Sequence, residues 1–571
     1  MAILETSRVA AESPRPDLSK RAPLVALVAG VLALTSPASA QSPEPAPAET
    51  ADPAASAPAP AATPSKFDID EFRVDGAERL PQITLEEAIY PFLGPNRNAE
   101  DVEKARVALE KAYHDLGYQT VNVAIPPQNV GEGLVVLSVT EGTVGRLRVT
   151  NARYFDTDKI KKGAPSLKEG ELPNFNKVTA DLVALNQMSD RRVTPALRAG
   201  VTPGTVDVDL NVEDKLPFHG SLELNNRQSP NTTMTRLNAN VRYDNLWQLG
   251  HSVSLGFQVA PERPDDATVF SASYLARLTD WTSVLVYGVD SSSDLATVGG
   301  MNVVGPGEVL GIRAIMTLPS RENYFHSLSV GMDYKHFGQT VRLGEDAFDT
   351  PVTYYPLTAS YDATWQQEDA LTQFSAALTG SLRGLGSGFN EFSDKRYNAN
   401  ANFFHVNADI SHTRDIVKEL QLFGQVRGQL ASGPLVSSEQ FSIGGLDTVR
   451  GYYESEAIGD SGLSATFEFR SPDFGGWLQE RVAQAHAQSD APFTVVNEWR
   501  VFGFIDAGFT SIDDPLADQD STSNLASYGV GTNFKFFDHL NGAVALAVPL
   551  ITQGDTDRND PRFLFKFTGE F

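Results

Sequence analysis

Arg450 stands in "GGLDTVRGYYES" (444–455), between Val449 on one side and Gly451, Tyr452 and Tyr453 on the other. A guanidinium in such company either projects from a loop tip or is buried against a carboxylate, because an unpaired buried charge is severely destabilising. Two downstream carboxylates are candidate partners. Asp506 lies in "RVFGFIDAGF" (500–509), a strand pattern. There Val501, Gly503, Ile505, Ala507 and Phe509 share one face, and Phe502, Phe504, Asp506 and Gly508 share the other. Glu468 holds the corresponding inward parity in "SATFEFR" (464–470). The chemistry available is recognition: a planar guanidinium fork can take a carboxylate in two parallel hydrogen bonds. Two phenylalanines and a carboxylate on an inward face also call for something packed against them, and Gly508 leaves room for close backbone approach. Periodicity alone leaves three cases open: an Arg450–Asp506 pair, an Arg450–Glu468 pair, or an exposed Arg450.

Other chemistry-bearing patterns lead nowhere comparable. "GDSG" (459–462) has the letters of a serine nucleophile turn, but Leu463 follows and the stretch runs into a strand. A triad also needs His and Asp placed by a different fold. "RGLGSGFN" (383–390) follows a strand, with no helix expected after it, and reads as a loop rather than a phosphate cradle. The nine histidines show no metal-ligand spacing, and the absence of cysteine removes thiolate sites, disulfides and a thiol nucleophile. No catalytic set, metal or cofactor is expected. The formal charge of -26 argues against a nucleic-acid partner, which requires a basic face.

The elements that must position these residues change character along the chain. Lys20 and Arg21 precede the apolar run Leu24–Leu34 and the small residues Ala38 and Ala40, the pattern of a signal peptide (1–40) cut after Ala40. Eleven apolar residues fall short of the ~20 that span a bilayer as a helix. Residues 41–66, with seven prolines and nine alanines, cannot build a core and read as a linker.

Two α+β modules follow, 67–141 and 142–214. The first reads β-α-α-β-β, with a capping box at Thr84 and Glu87 opening its first helix. Its second helix carries Val102, Ala105, Leu109, Ala112 and Tyr113 on one face and stops at Gly117. The second module repeats the pattern with one helix, 174–188.

From 215 to 571 helical periodicity gives way to dyads about ten residues long. Val253, Leu255, Phe257 and Val259 oppose Ser252, Ser254, Gly256 and Gln258. At the end of the chain, Phe563, Phe565, Phe567 and Phe571 oppose Leu564, Lys566, Thr568 and Glu570. Apolar residues on one face and polar ones on the other mark a wall between lipid and water. Sixteen such segments start near 217, 234, 251, 267, 281, 307, 325, 352, 371, 396, 418, 461, 498, 524, 539 and 562. An even number closes a one-chain antiparallel transmembrane barrel. The mean hydropathy of -0.22 agrees, since half of each strand faces a polar lumen. A soluble sandwich or propeller would bury its aromatic face instead.

Taken together, "VRGY" (449–452), "GFIDAG" (503–508), the terminal Phe571 and the paired modules resemble one superfamily. It is the superfamily that joins POTRA domains to an outer-membrane barrel. Two modules before sixteen strands are similar to the TpsB transporters of two-partner secretion, which include filamentous haemagglutinin transporters and haemolysin activators. "AIPPQNVGEGLVVLSVTEGTVGRLRV" (124–149) and "YDNLWQLGHSVSLGFQVAP" (243–261) carry the same resemblance, which covers about 67–571.

The resemblance implies a loop–wall salt bridge between Arg450 and Asp506. It implies that Val449, Gly451 and Tyr452 shape a sixth loop (about 432–460) folded into the lumen, packed on Phe502, Phe504, Gly508 and Glu468. It further implies that Phe571, with Phe567, Phe565 and Phe563, acts as a barrel assembly signal. The implied partners are a secreted exoprotein with an N-terminal secretion domain, the outer-membrane assembly machinery and the lipid and lipopolysaccharide bilayer. The amphipathic plug helix of many relatives has no counterpart in 41–66. A BamA-like insertase is the alternative role, although such insertases usually carry more POTRA domains.

Overall fold

The computed structural model describes residues 66–130, 132–293, 295–298, 301–304, 306–338, 340–343, 346–417, 419–485 and 495–571. The expected signal peptide, and all of the expected linker except Lys66, lie outside the described residues, as does the question of a plug helix. The described chain divides into two compact units at Lys215/Leu216.

In the first unit, β2 (Glu71–Asp75), β5 (Leu134–Glu141) and β4 (Val121–Ala124) form a sheet in that order, with β2 parallel and β4 antiparallel to β5. A separate pair joins β1 (Phe67–Ile69) to β3 (Gly94–Arg97). Helices α1 (Gln82–Ile89) and α2 (Ala99–Asp115) belong to this module. The face of α2 buries Val102, Ala105, Leu109 and Tyr113 with Val135 and Leu137. Asn98 begins α2 by accepting from Asp101 N, and Asp101 returns the bond to Asn98 N. The Thr84 box does not form. Pro81, with its fixed φ, already opens α1, which places Thr84 inside the first turn. The Tyr113 hydroxyl donates to Glu141 at 2.9 Å, and burial together with that carboxylate pushes its pKa up.

The second sheet runs β6 (Thr143–Thr150), β8 (Thr205–Asp214), β7 (Arg191–Ala199). Here α4 (Phe175–Leu185) occupies the expected helical segment. A short helix the periodicity did not reveal, α3 (Thr157–Lys162), precedes it and is capped by Asp156. The modules are stitched together where Phe175 N donates to Gly117 O and Asn174 Nδ2 to Leu116 O, both at 2.8 Å.

The second unit is a closed antiparallel barrel of sixteen strands. Strands 1 to 8 are Phe218–Asn225, Arg236–Leu246, His251–Val259, Thr268–Arg277, Thr282–Ser291, Gly307–Thr317, Tyr324–Phe337 and Val352–Gln366. Strands 9 to 16 are Ala370–Gly386, Phe404–Val417, Leu420–Ala431, Ser461–Arg470, Val496–Ser511, Thr522–Phe536, Leu540–Pro549 and Arg562–Glu570. The dyads divide as expected: Leu255, Phe257, Ile505 and Phe563 are exposed on the outside, while Gln258, Phe502, Phe504 and Asp506 are buried within.

One strand departs from the expected register. Strand 10 begins at Phe404 rather than near 396, because Phe389–Lys395 folds as α5 and the chain then turns inward. Burial drives this: Phe392 and Phe403 both pack edge-on against Tyr354. The glycine-rich stretch is therefore followed by a helix after all. That helix fills its own N-terminus, since Glu391 accepts from Gly388 N at 3.0 Å.

A buried ion network holds the sixth loop to the barrel wall

Between strands 11 and 12 the chain runs through residues 432–460. Its arms pair with each other, Phe441–Ile443 against Ala457–Gly459, so the loop is a hairpin in its own right. Gly444 and Gly445, at φ +109 and +98, turn the chain out of the first arm, and Gly451 at φ +94 turns the tip. Val449 and Tyr452 are fully buried beside Ile443 and Leu525.

Arg450 meets both candidate carboxylates. Its Nε donates to Asp506 Oδ2 at 2.7 Å and its Nη2 to Oδ1 at 2.8 Å, the fork-to-fork arrangement. The backbone N of Arg450 adds a third bond to Oδ2 at 3.1 Å. Nη1 donates to Glu468 Oε1 at 2.6 Å, and Glu468 Oε2 accepts from Arg470 Nε at 2.8 Å. Asp506 and Glu468 are thus joint partners rather than competitors, because the guanidinium has donors on two edges. Asp506 is wholly inaccessible to solvent.

The aromatic pair supplies the third side. The Arg450 guanidinium carbon lies 3.6 Å from the Phe504 ring centre and 5.7 Å from that of Phe502. Those rings need bare backbone on the neighbouring strand. A Cβ on Gly529 would come within 2.4 Å of Phe504, and one on Gly531 within 2.4 Å of Phe502. Gly508 plays the same part for the loop: a Cβ there would lie 3.0 Å from Ile443 Cδ1 and 3.2 Å from Val449 Cγ2. The Tyr452 hydroxyl donates to Ile551 O at 2.8 Å and accepts from Ile551 N at 3.2 Å, which pins the tip to the loop after strand 15. Phe571 directly follows strand 16, and its N and O bond to Gly220 at 3.0 and 3.1 Å. Phe563, Phe565 and Phe567 follow one another along that strand, the first pair tilted and the second stacked.

Sequence reasoning missed most of the network. The loop carries carboxylates at Glu439, Asp447, Glu454 and Asp460, and each finds a cation on the surrounding structure. Arg227 meets Asp447 at 2.7 Å and Glu454 at 3.1 Å. Arg396 meets Asp460 at 2.7 Å, and Lys335 meets Glu439 at 2.6 Å. Tyr354 and His405 also contact Glu439, at 2.6 and 3.2 Å. The available signal was the run of acidic residues in one inward loop, which demands cations from the wall. Their places, spread from 227 to 396, have no spacing to detect.

Comparison with known proteins follows the same outline. Residues 204–533 match the family described as haemolysin secretion/activation protein ShlB/FhaC/HecB, and residues 67–142 match the ShlB-type POTRA domain. The outer membrane transporter CdiB of Dickeya dadantii (strain 3937) is 22% identical over 69% of this chain and 71% of its own length. The heme/hemopexin transporter protein HuxB of Haemophilus influenzae (strain ATCC 51907 / DSM 11121 / KW20 / Rd) is 22% identical over 71% of this chain and 72% of its own. The solved structure of CdiB from Escherichia coli covers 99% of this chain and 97% of itself, with a TM-score of 0.63 at 17% identity, a likeness of fold.

Proposed function

The chain belongs to the haemolysin secretion/activation protein family ShlB/FhaC/HecB, the outer-membrane transporters of two-partner secretion. From that premise we propose that residues 67–141 and 142–214 act as two periplasmic POTRA domains that receive an unfolded exoprotein. The barrel then passes this client outward past the anchored sixth loop. The observation that carries the reading is the Arg450–Asp506–Glu468 cluster, which holds a loop inside the lumen in fixed geometry.

An outer membrane offers no nucleotide and no ion gradient, so transport there needs a binding step inside and folding outside to make passage irreversible. The POTRA sheets end in edge strands, β2 and β4 in the first and β6 and β7 in the second, and part of three of these edges is already taken: Arg106 and His114 meet carbonyls of β4, Val144 N of β6 donates to Glu171 O, and Asn186 bonds both main-chain groups of Val193 in β7. An extended client segment can add to such an edge through main-chain hydrogen bonds. Pro195 lies within β7 and lacks an N–H, which weakens that edge as an acceptor of a new strand.

The loop is the element through which passage is controlled. Arg450→Ala, scored as secreted client relative to barrel abundance, tests it. Loss of secretion at normal abundance is the expected result, and normal secretion would overturn the role of the loop. The insertase alternative shares the loop motif and the Asp strand, but two POTRA modules and the family match favour secretion.

A further inference from the structure

We propose that the helix between strands 12 and 13, α6 (Gly475–Ala485), lies in the plane of the membrane at the periplasmic rim. Its lipid contacts are Phe474, just ahead of it, and Trp477. The barrel end at which strand 1 begins is the periplasmic one. Connections at that end run two to six residues, with one exception, the 25-residue segment 471–495 that carries this helix. No barrel geometry requires so long a link between two adjacent antiparallel strands, since a tight turn joins such strands.

The five tryptophans of the chain are all at this end. Trp247 and Trp281 occupy turns, Trp365 and Trp499 lie at strand ends next to turns, and Trp477 is on the helix. Tryptophan concentrates where hydrocarbon meets headgroups, so these side chains mark the height of the inner interface. The start of α6 is bonded at that height. Phe474 N donates to Trp499 O at 2.8 Å, and Asp473 Oδ1 accepts from both Gly475 N and Trp499 N. Trp499 has the outward parity of Val501 and Ile505, and its indole N–H donates to Thr532 Oγ1. Gln479 Oε1 accepts from Val495 N and Val496 N, which ties the helix to the foot of strand 13 a second time. A Cβ on Gly475 would lie 3.0 Å from Glu498 Cα, so the helix is pressed onto the strand.

This anchoring leaves Phe474 and Trp477 uncovered, at 41% and 56% exposure. On the strand to which the helix is tied, Trp499 stands opposite Phe534, and Phe534 in turn packs on Phe567, so an outward aromatic series runs up to the foot of the helix. The Arg481 guanidinium carbon lies 4.9 Å from the Trp477 ring centre, a cation placed to reach phosphate while its stem covers the ring. Eleven residues cannot cross a bilayer, and exposed aromatic side chains beside a cation, at the height of the tryptophans, are the pattern of a segment lying in the interface. The occupant is therefore the inner-leaflet lipid surface.

Because the chain contains no cysteine, single labels can be placed cleanly. Full-length Trp477→Cys and Lys162→Cys variants, each carrying an environment-sensitive NBD label, are reconstituted in phosphatidylethanolamine/phosphatidylglycerol vesicles with and without 5-doxyl lipid. The label at 477 is expected to be blue-shifted and to fall to roughly half its intensity with doxyl lipid while resisting aqueous iodide. The label at 162, on an exposed position of α3 in the second periplasmic module, is expected to be quenched by iodide and to be insensitive to doxyl lipid. Equal iodide quenching at both positions overturns the proposal. So does shielding of 477 from both quenchers, which would place a protein surface over it. Heat-modifiable migration reports barrel folding, and Phe474→Cys serves as the second variant if Trp477→Cys does not fold.

Discussion

The wall that holds the sixth loop and the seam that closes the barrel are built differently. Strand 13 pairs with strand 14 from Val496 to Ser511, whereas strand 16 meets strand 1 only from Lys566 to Glu570. Main-chain bonds between Phe571 and Gly220 extend that short ladder at one end, and at the other it is completed chiefly by a side chain. Asn226 Nδ2 donates to Phe563 O at 2.7 Å and its Oδ1 accepts from Phe565 N at 2.9 Å, so one amide stands in for the missing peptide of strand 1. The loop seat, by contrast, combines a long ladder with a bidentate ion pair and rings laid over glycines. Two ways of joining barrel strands coexist: one runs a long main-chain ladder, and the other keeps a short ladder and adds the two side-chain bonds of a single asparagine.

They meet at one place. Arg227, the residue after Asn226, holds Asp447 and Glu454 of the loop, and Gln228 O accepts from Glu454 N at 3.0 Å. The same short turn thus closes the seam on one side and seats the loop on the other.

This contrast can be broken from its strong side first. Arg450→Ala leaves Asp506 and Glu468 buried without their shared cation and should cost roughly 3–5 kcal/mol, read as a lower midpoint of heat-modifiable migration. Arg450→Lys retains charge but not the fork, and its midpoint should fall between those of wild type and Arg450→Ala. At the seam, Asn226→Ala strips partners from two main-chain groups of strand 16 and should cost roughly 2–3 kcal/mol. Hydrogen exchange should then accelerate at the Phe565 amide while Phe504 and Asp506 keep their protection. If both regions accelerate together, the seam and the seat are one cooperative unit and the contrast fails.

Smaller effects sharpen it further. Gly451→Ala places a side chain at φ +94 and 3.3 Å from Ala547 Cβ, and should cost about 1–2 kcal/mol in the same melting assay. Tyr452→Phe removes the hydroxyl bonds to Ile551 and Ala526 and should cost about 1 kcal/mol, detected as faster exchange confined to the Ile551 and Ala526 amides.

Most of the barrel was legible because its side chains alternate against two solvents. Fifteen of the sixteen segments begin within two residues of their expected starts. Strand 10 was misplaced because α5 and its following turn bury Phe392 and Phe403 against Tyr354, a long-range contact that overrides local alternation. In the first module the Thr84 box was misread, since Pro81 one turn earlier already sets the helix start. Helix α3 escaped notice because six residues are too few to display a 3.6-residue period.

The inward loop shows the same division at closer range. Residue types alone determined that Arg450 needed a carboxylate if buried, and strand parity pointed Phe502, Phe504, Asp506 and Glu468 inward. A two-residue period is a local property, so any stretch of strand reveals its faces without reference to the rest of the chain. Only the tertiary structure decided that Arg450 takes both carboxylates, that Arg227, Lys335 and Arg396 serve the remaining acids of the loop, and that Asn226 closes the seam. Those choices depend on which strands become neighbours across the lumen. Barrel closure settles that by bringing together residues hundreds of positions apart, whose spacing in the sequence carries no period to read.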